Sequence, residues 1–275
     1  MFWKKKNKKN IKNTDITVEY TLRTDTGLMR KNNEDAVKCI NFNSDDKGFL
    51  AIVADGMGGH KSGEVASKMA TEIIPEVYYQ SDSAIPAALQ EAFKAANNAI
   101  LEKSRSSSQY NGMGTTCTAL AIVGDKAFFA HVGDSRLYLF RDNELIQLTK
   151  DHTIVQKMID EGTLSKTQAR DYPQKNVIWQ AMGTKNTIDI QVNRKALPVK
   201  ENDRFLLCSD GLTDMVDDME IAQILKMPSL NMAASCLVAM AKDKGGHDNI
   251  SVIVIQTVKY DRQKENNITR KIKQV

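Results

Sequence analysis

Two apolar runs of this chain end in the same dipeptide. Phe49-Leu50-Ala51-Ile52-Val53-Ala54 leads into Asp55-Gly56, and Phe205-Leu206-Leu207-Cys208-Ser209 leads into Asp210-Gly211. A short apolar run bounded by a turn signal reads as a buried strand, and the glycine marks where the chain leaves it. A carboxylate at the lip of such a strand is costly to strip of water unless something positive meets it. Two further acids stand in comparable places: Asp134 follows the run from Ala127 to Gly133, and Asp248 precedes the run from Ile250 to Ile255. Four acids at strand ends, drawn from distant parts of the sequence, are able to converge on one divalent-metal site. Hard cations such as Mg and Mn take oxygen ligands. In an Asp-Gly pair the glycine carbonyl can reach the same ion, because no side chain stands in its way.

The length of 275 residues and a hydrophobic content of 41% suffice for one large domain with a core. No stretch of about eighteen apolar residues occurs, which argues against a membrane-spanning helix. The opening Met1-Phe2-Trp3-Lys4-Lys5-Lys6 is basic but is followed by no apolar segment, so it does not read as a secretory signal. Cys39, Cys117, Cys208 and Cys236 have no paired spacing and fit a reducing cytoplasm better than a disulfide frame or a zinc site.

The net charge of +4 is unevenly spread. Residues 1–12 hold six lysines and no acid, and residues 259–275 hold six bases against two acids, so the body between them is acidic. A nucleic-acid binder carries its positive charge on the folded surface, which this pattern does not provide. The expected organisation is a basic, disordered tail over 1–14, a folded body over 15–258 and a second basic tail over 259–275. The first tail, with Phe2 and Trp3, also suits a weak contact with an anionic membrane surface. A cytoplasmic monomer is the default.

Within the body, Thr17 to Leu22 and Ala36 to Phe42 read as short strands, and Phe49 to Ala54 as the first buried one. Val65, Met69 and Ile73 recur every four residues and predict a helix packing that face on the core. A second helix is predicted from a Ser83 cap and Pro86 in the first turn, with Ile85, Leu89, Ala92, Phe93, Ala96 and Ile100 as its stripe. Strands fill Thr115 to Leu148, with Gly124-Asp125 as a hairpin turn and Asp142 in another turn. Residues 151–185 are polar and weakly periodic, as expected of a small lid or flap beside the strands. Strand returns at Arg204–Ser209. Helices are expected near Asp218–Lys226 and Asn231–Lys242, before a closing strand that is apolar on both faces, from Ile250. Strand blocks separated by helix pairs, without βα alternation, argue an α+β fold with antiparallel sheets.

The ordered set of short motifs resembles the metal-dependent Ser/Thr protein phosphatases of type 2C, closest to their bacterial branch. It begins with Gly27-Leu28-Met29-Arg30-Lys31-Asn32-Asn33-Glu34-Asp35 and Asp55-Gly56-Met57-Gly58-Gly59. It continues through Gly112-Met113-Gly114-Thr115-Thr116, Gly133-Asp134-Ser135-Arg136 and Thr149-Lys150-Asp151-His152. It closes with Gln180-Ala181-Met182-Gly183, Ser209-Asp210-Gly211-Leu212 and Gly246-His247-Asp248-Asn249. The resemblance implies a central antiparallel β-sandwich flanked by helices, with two Mn or Mg ions at one end. It implies that Asp55 bridges both ions, that the Gly56 carbonyl binds one, and that Asp210 and Asp248 hold the other. Asp35 would act through metal-bound water, and Asp134 with Asp210 would form a third, weaker site. A hydroxide shared by the two ions would then attack phosphorus in line, with no phosphoenzyme. Arg30, whose planar fork suits two phosphate oxygens, would hold the substrate phosphate.

Many eukaryotic members have a histidine, assigned as the general acid, at the position of Met57. A metal-bound water, His60 and His152 are the alternatives, each histidine weighed below a structural role. His131 reads as a core histidine and His247 as a partner of Asp248. Ser135 and Ser209 lack the elbow of a hydrolase nucleophile. The implied substrates are phosphoserine and phosphothreonine proteins, in opposition to a Ser/Thr kinase. The alternatives are a phosphatase of small metabolites using the same centre and a pseudophosphatase that binds phosphoproteins without turnover. The presence of Arg30, Asp55, Asp210 and Asp248 together disfavours the last.

Overall fold

Alternation along the central strands sorts their side chains into two faces, and each face finds a different partner. The computed structural model describes residues 16–41, 46–58, 62–170 and 172–259. Among these, one sheet runs in the order β1 (Ile16–Asp25), β12 (Ile250–Lys259), β11 (Arg204–Cys208), β7 (Arg136–Arg141) and β8 (Glu144–Gln147). The other runs β10 (Leu197–Pro198), β6 (Lys126–Val132), β5 (Cys117–Val123), β3 (Phe49–Met57) and β2 (Asp35–Asn41). Two short strands attach to it, β4 (Gly114–Thr115) on β3 and β9 (Gln191–Val192) on β6. These pairings are antiparallel.

On β3, Phe49, Ala51 and Val53 point between the sheets, where they meet Leu137, Leu139, Phe205, Leu207, Ile253 and Ile255. Leu50, Ile52 and Ala54 point outward onto the helix pair α1 (Ser62–Gln80) and α2 (Ile85–Ser106). Leu206, Cys208, Val252 and Val254 do the same on the far side, against α6 (Asp218–Ile224) and α7 (Leu230–Asp243). Helix pair, sheet, sheet and helix pair thus stack in four layers. This is the α+β sandwich expected from the sequence.

Several local expectations need correction. The fully buried stripe of α1 is Ala66, Ala70, Ile74 and Tyr78, one residue along from the one expected, and Val65, Met69 and Ile73 flank it half-buried. Ala66 and Ala70 let the first half of the helix seat closely on its neighbours, and Ile74 and Tyr78 fill the core further along. Ser83 does not cap α2: Ala84 stands at the cap with no side-chain bond, and the Ser81 and Ser83 hydroxyls both donate to the Glu91 carboxylate at 2.7 Å. β1 extends to Asp25, past Leu22, because its whole length pairs with β12. β9 and β10 are too short to carry a pattern of their own.

The other element expectations hold. Gly124-Asp125 joins β5 to β6, and Asp142 and Asn143, both at positive φ, join β7 to β8. The segment 151–185 forms two short helices, α3 (Ile154–Asp160) and α4 (Lys166–Arg170), and packs beside the strands as a flap. The short α5 (Asp210–Thr213) follows β11 directly. Among the described residues no helix is long and apolar enough to cross a membrane. The expected tail over 1–14, the expected tail over 259–275 apart from Lys259, and His60 lie outside the described residues.

Candidate metal centre

The antiparallel sandwich brings the ends of five elements to one edge, and each delivers an acid. Asp35 opens β2 and is the cross-strand partner of Asp55 on β3. Asp134 lies two residues beyond β6, Asp210 begins α5, and Asp248 lies two residues before β12. Main-chain and hydroxyl bonds fix their backbones. The Asp55 N–H donates to Thr116 Oγ1 at 3.1 Å, its carbonyl accepts from the Thr116 N–H at 2.8 Å and the Thr115 hydroxyl at 2.9 Å, and Thr116 Oγ1 lies 2.7 Å from Ser135 Oγ. Gly56 follows with its N–H on the Glu34 carbonyl at 3.1 Å. Ser135 and Ser209 are fully buried in such bonds, in keeping with support rather than nucleophilic attack.

The carboxylates face one another with little to neutralise them. Burial, followed by the charge of Asp214, pushes Asp210 up to about 7, and burial pushes Asp35 up to about 6 against the hydrogen bond from Ser209. Asp55 is raised well above the ordinary range by burial and by Asp35, Asp210 and Asp134. Asp134 is raised by burial and by Asp210, with Arg136 opposing. Asp35 Oδ1 and Asp210 Oδ1 are buried and meet no hydrogen-bond partner. Among the described residues, no three acidic, histidine or cysteine side chains stand, as they are placed, in an arrangement that could hold a metal ion. The acids instead lean on each other, on Ser209 and on Arg30, contacts that a cation would displace. Orphaned carboxylate oxygens in a cluster short of positive charge are the donor set a hard divalent ion requires, so these residues fit one.

Arg30 sits at the open side, its Nη2 donating to Asp248 Oδ2 at 2.7 Å, with about half of its side chain exposed. A pair this exposed contributes little to stability, about 0–1 kcal/mol, so the guanidinium can turn to an arriving anion at small cost. Behind Asp134, Arg136 clamps Asp151 with both ends of its fork (2.7–3.1 Å) and donates to the Tyr138 hydroxyl, which donates in turn to Asp218. That network ties β7, the start of the flap and α6 together beneath the site.

The histidines divide as follows. His131 is in the core, bonded to Thr118 Oγ1 at 2.8 Å and pushed down to about 3 by burial. His152 is buried between His131 and Trp179, and its Nδ1 accepts from the Gly133 N–H at 3.1 Å, which makes it a support for the turn carrying Asp134. His247 is corrected: it is exposed, with its ring beside Gly245, while Asp248 is held by Arg30 and by the Asn249 N–H at 2.8 Å. Gly245 and Gly246, both at positive φ, stand before His247, and its ring lies against Gly245. Two residues of the site were not singled out from the sequence. Asp214, one turn beyond Asp210, is bonded by Asn176 at 2.6 Å and paired with Lys175 at 3.6 Å, joining the flap to the acid cluster. Asn249 was read only as the end of a motif, and its amide turns out to be fully engaged. An acid at i+4 from Asp210 was the only available signal for the first; nothing local signals the second.

The raised acids set a pH dependence. A carboxyl whose folded-state pKa lies above its unfolded value of about 3.8 stabilises the fold below that value, and loses the contribution as pH climbs through its folded pKa. For Asp35 and Asp210 that window closes between about 6 and about 7. The metal-free protein should therefore melt at a lower temperature at pH 8 than at pH 5.5 in scanning calorimetry with chelator, and excess Mn should remove the difference. A metal-free melting temperature that rises over this interval contradicts the assignment.

Residues 29–245 match the family model described as protein phosphatase 2C. The chain is 38% identical over 250 residues to the serine/threonine protein phosphatase PstP of Mycobacterium tuberculosis, covering 90% of this chain and 46% of that protein. It thus spans about half the length of that relative. It is 37% identical over 240 residues to the serine/threonine phosphatase stp of Listeria monocytogenes, covering 85% of this chain and 94% of the other. A solved catalytic domain of PstP in complex with two manganese ions superposes with a TM-score of 0.78 at 36% identity, covering 89% of this chain and 100% of that one.

Proposed function

The chain belongs to the protein phosphatase 2C family, and from that premise we propose that it is a metal-dependent protein serine/threonine phosphatase. The observation that carries the reading is the cluster of Asp35, Asp55, Asp134, Asp210 and Asp248, in which Asp35 and Asp210 each keep a buried carboxylate oxygen without a partner, beneath an exposed arginine. Asp55, the Gly56 carbonyl, Asp210 and Asp248 would hold two Mn or Mg ions, Asp35 would bind through water, and Asp134 with Asp210 would form a third, weaker site. Bound there, the ions supply Lewis acidity toward the phosphoryl group and a water of lowered pKa.

The remaining roles fall to this chain's own groups. Arg30 leaves Asp248 and grips two phosphoryl oxygens with its fork, which orients the ester and balances charge developing on it. Ser209 keeps Asp35 turned inward through its 2.7 Å bond. Thr116 and the Arg136–Asp151 pair hold the backbones of Asp55 and Asp134 against the repulsion of their own carboxylates. His152 is committed to Gly133 and Met57 cannot give up a proton, so neither serves to protonate the leaving group. The similarity to relatives named as serine/threonine protein phosphatases favours phosphoproteins over small phosphorylated metabolites, and with them a Ser/Thr kinase as the opposing activity.

The test is Mn-dependent release of phosphate from a phosphothreonine peptide, with chelator as control. The Arg30→Ala variant should keep its Mn affinity within about twofold, because an exposed pair contributes little. Its KM for the peptide should rise by about tenfold or more, the usual scale for losing a charge-assisted contact. Turnover indifferent to chelator would reject the metal-dependent reading, and an unchanged KM in Arg30→Ala would reject the phosphate role.

A further inference from the structure

Asn249 is buried, and its amide is spent on one loop at three separate points. Its Nδ2 donates to the Thr26 carbonyl at 2.9 Å and to the Asn32 carbonyl at 3.0 Å, and its Oδ1 accepts from the Glu34 N–H at 2.8 Å. Those points bracket Arg30. The loop 26–34 is pressed onto the segment 246–249 elsewhere too. The Leu28 N–H donates to the Gly246 carbonyl at 2.8 Å, and Gly27, at φ +76°, lies so close that a Cβ there would come within 2.2 Å of the Asp248 carbonyl. On its other face the same loop shows Leu28, Met29 and about half of the Arg30 side chain to solvent, where the guanidinium meets Asp248 in an exposed pair that contributes little to fixing the loop.

We propose that Asn249 is the positioning residue for Arg30: by stapling Thr26, Asn32 and Glu34, its side chain holds the loop where the guanidinium can reach a phosphoryl group over the acid cluster. The inference rests on the reading of Arg30 as the phosphate-holding group. Displacement of such a group by about 1 Å can cost on the order of a hundredfold, so a loop bolted at three points is a means of keeping its reach. A staple is also chemically specific. Only an amide offers two donors and an acceptor in one plane, which matches two carbonyls and one N–H. Asn249 touches Asp248 only through its main-chain N–H, so its side chain can be changed without removing a bond to a metal acid.

The experiment uses the Mn-loaded full chain in four forms: wild type, Arg30→Ala, Asn249→Ala and the double variant. The readouts are KM and kcat for a phosphothreonine peptide, the inhibition constant of inorganic phosphate, and a separately measured Mn dissociation constant. Asn249→Ala should raise KM and the phosphate inhibition constant by about five- to thirtyfold, the range expected from a broken buried hydrogen-bond set, with Mn affinity within about twofold. The double variant should be no more than about twofold worse than Arg30→Ala, because residues acting through one another do not add. Asn249→Ser, which retains a single hydroxyl, should move the same constants in the same direction by less, and it carries the test if Asn249→Ala does not fold. If Arg30→Ala shifts KM while the Asn249 variant only lowers kcat or melting temperature, or if the two effects multiply, the inference fails alone. If Arg30→Ala shifts neither constant, the phosphate reading fails and takes the inference with it.

Discussion

Replacing Asp210 by alanine is expected to abolish most turnover and, in the same protein, to make the metal-free fold more stable. The two effects share one cause. Asp210 is buried among Asp214, Asp248, Asp35 and Asp55, and its carboxyl is pushed up to about 7. At pH 8 it carries a charge that the fold resists, and each unit of raised pKa corresponds to about 1.4 kcal/mol of that resistance. Truncation removes the charge but leaves a small void, so a net gain of about 1–3 kcal/mol at pH 8 is expected. Activity should fall at least about a hundredfold, since even groups one step removed from a metal commonly cost ten- to a hundredfold. Thermal melts with chelator at pH 8 and phosphate-release rates with Mn measure both. A variant that is less stable than wild type without metal, or that retains turnover, contradicts the picture of a cluster strained for a cation.

The second large effect is steric. A Cβ placed on Gly56 would lie 2.1 Å from the Gly63 carbonyl oxygen, 2.4 Å from its carbon and 2.6 Å from the Glu34 carbonyl oxygen. All three are backbone atoms, so none can swing aside. Gly63 is the second residue of α1, and its own Cβ would meet Gly56 in return, at 2.8 Å. The start of that helix and the metal-facing turn of β3 are therefore in direct main-chain contact, which is also what leaves the Gly56 carbonyl free of a covering side chain. Gly56→Ala should cost about 3 kcal/mol or more, a fall of roughly 6–12 °C in melting temperature for a domain of this size. It should also lose Mn binding below that transition. Gly162→Ala is the control: its φ is +71° but a Cβ there meets nothing within 4 Å, so about 1 kcal/mol is expected. Equal melting temperatures for Gly56→Ala and wild type would mean that this contact is not as close as described.

The same physics explains what could be read from the chain alone. Asp55, Asp134, Asp210 and Asp248 stood out because each interrupts or ends an apolar run, where a carboxylate is expensive, and antiparallel pairing then had to bring the ends of those runs to one edge. The sandwich was legible because alternation along β3, β11 and β12 demands two apolar faces. The misreadings have a common character too. The stripe of α1 lies one residue along from Val65, Met69 and Ile73, because Ala66 and Ala70 seat the helix closely and Ile74 and Tyr78 fill the core beyond them. Ser83 was free to cap α2, but Glu91 competes for its hydroxyl from two turns along the helix. His247 adjoins Asp248 in sequence, yet its ring lies against Gly245. Asn249 and Asp214 act through residues distant in sequence, Thr26 to Glu34 for the one and Asn176 for the other, and no local pattern announces such a contact.

The central claim is that these acids hold protons that a divalent cation displaces. Calorimetric titration of Mn into the metal-free protein at pH 6.5, repeated in buffers of different ionisation enthalpy, counts the protons released on binding. Mn binding with clear proton release that shrinks toward pH 8, and loss of tight binding in Asp210→Ala, are the expected results. Mn binding that releases no protons at pH 6.5, or that survives undiminished in Asp210→Ala, would contradict it.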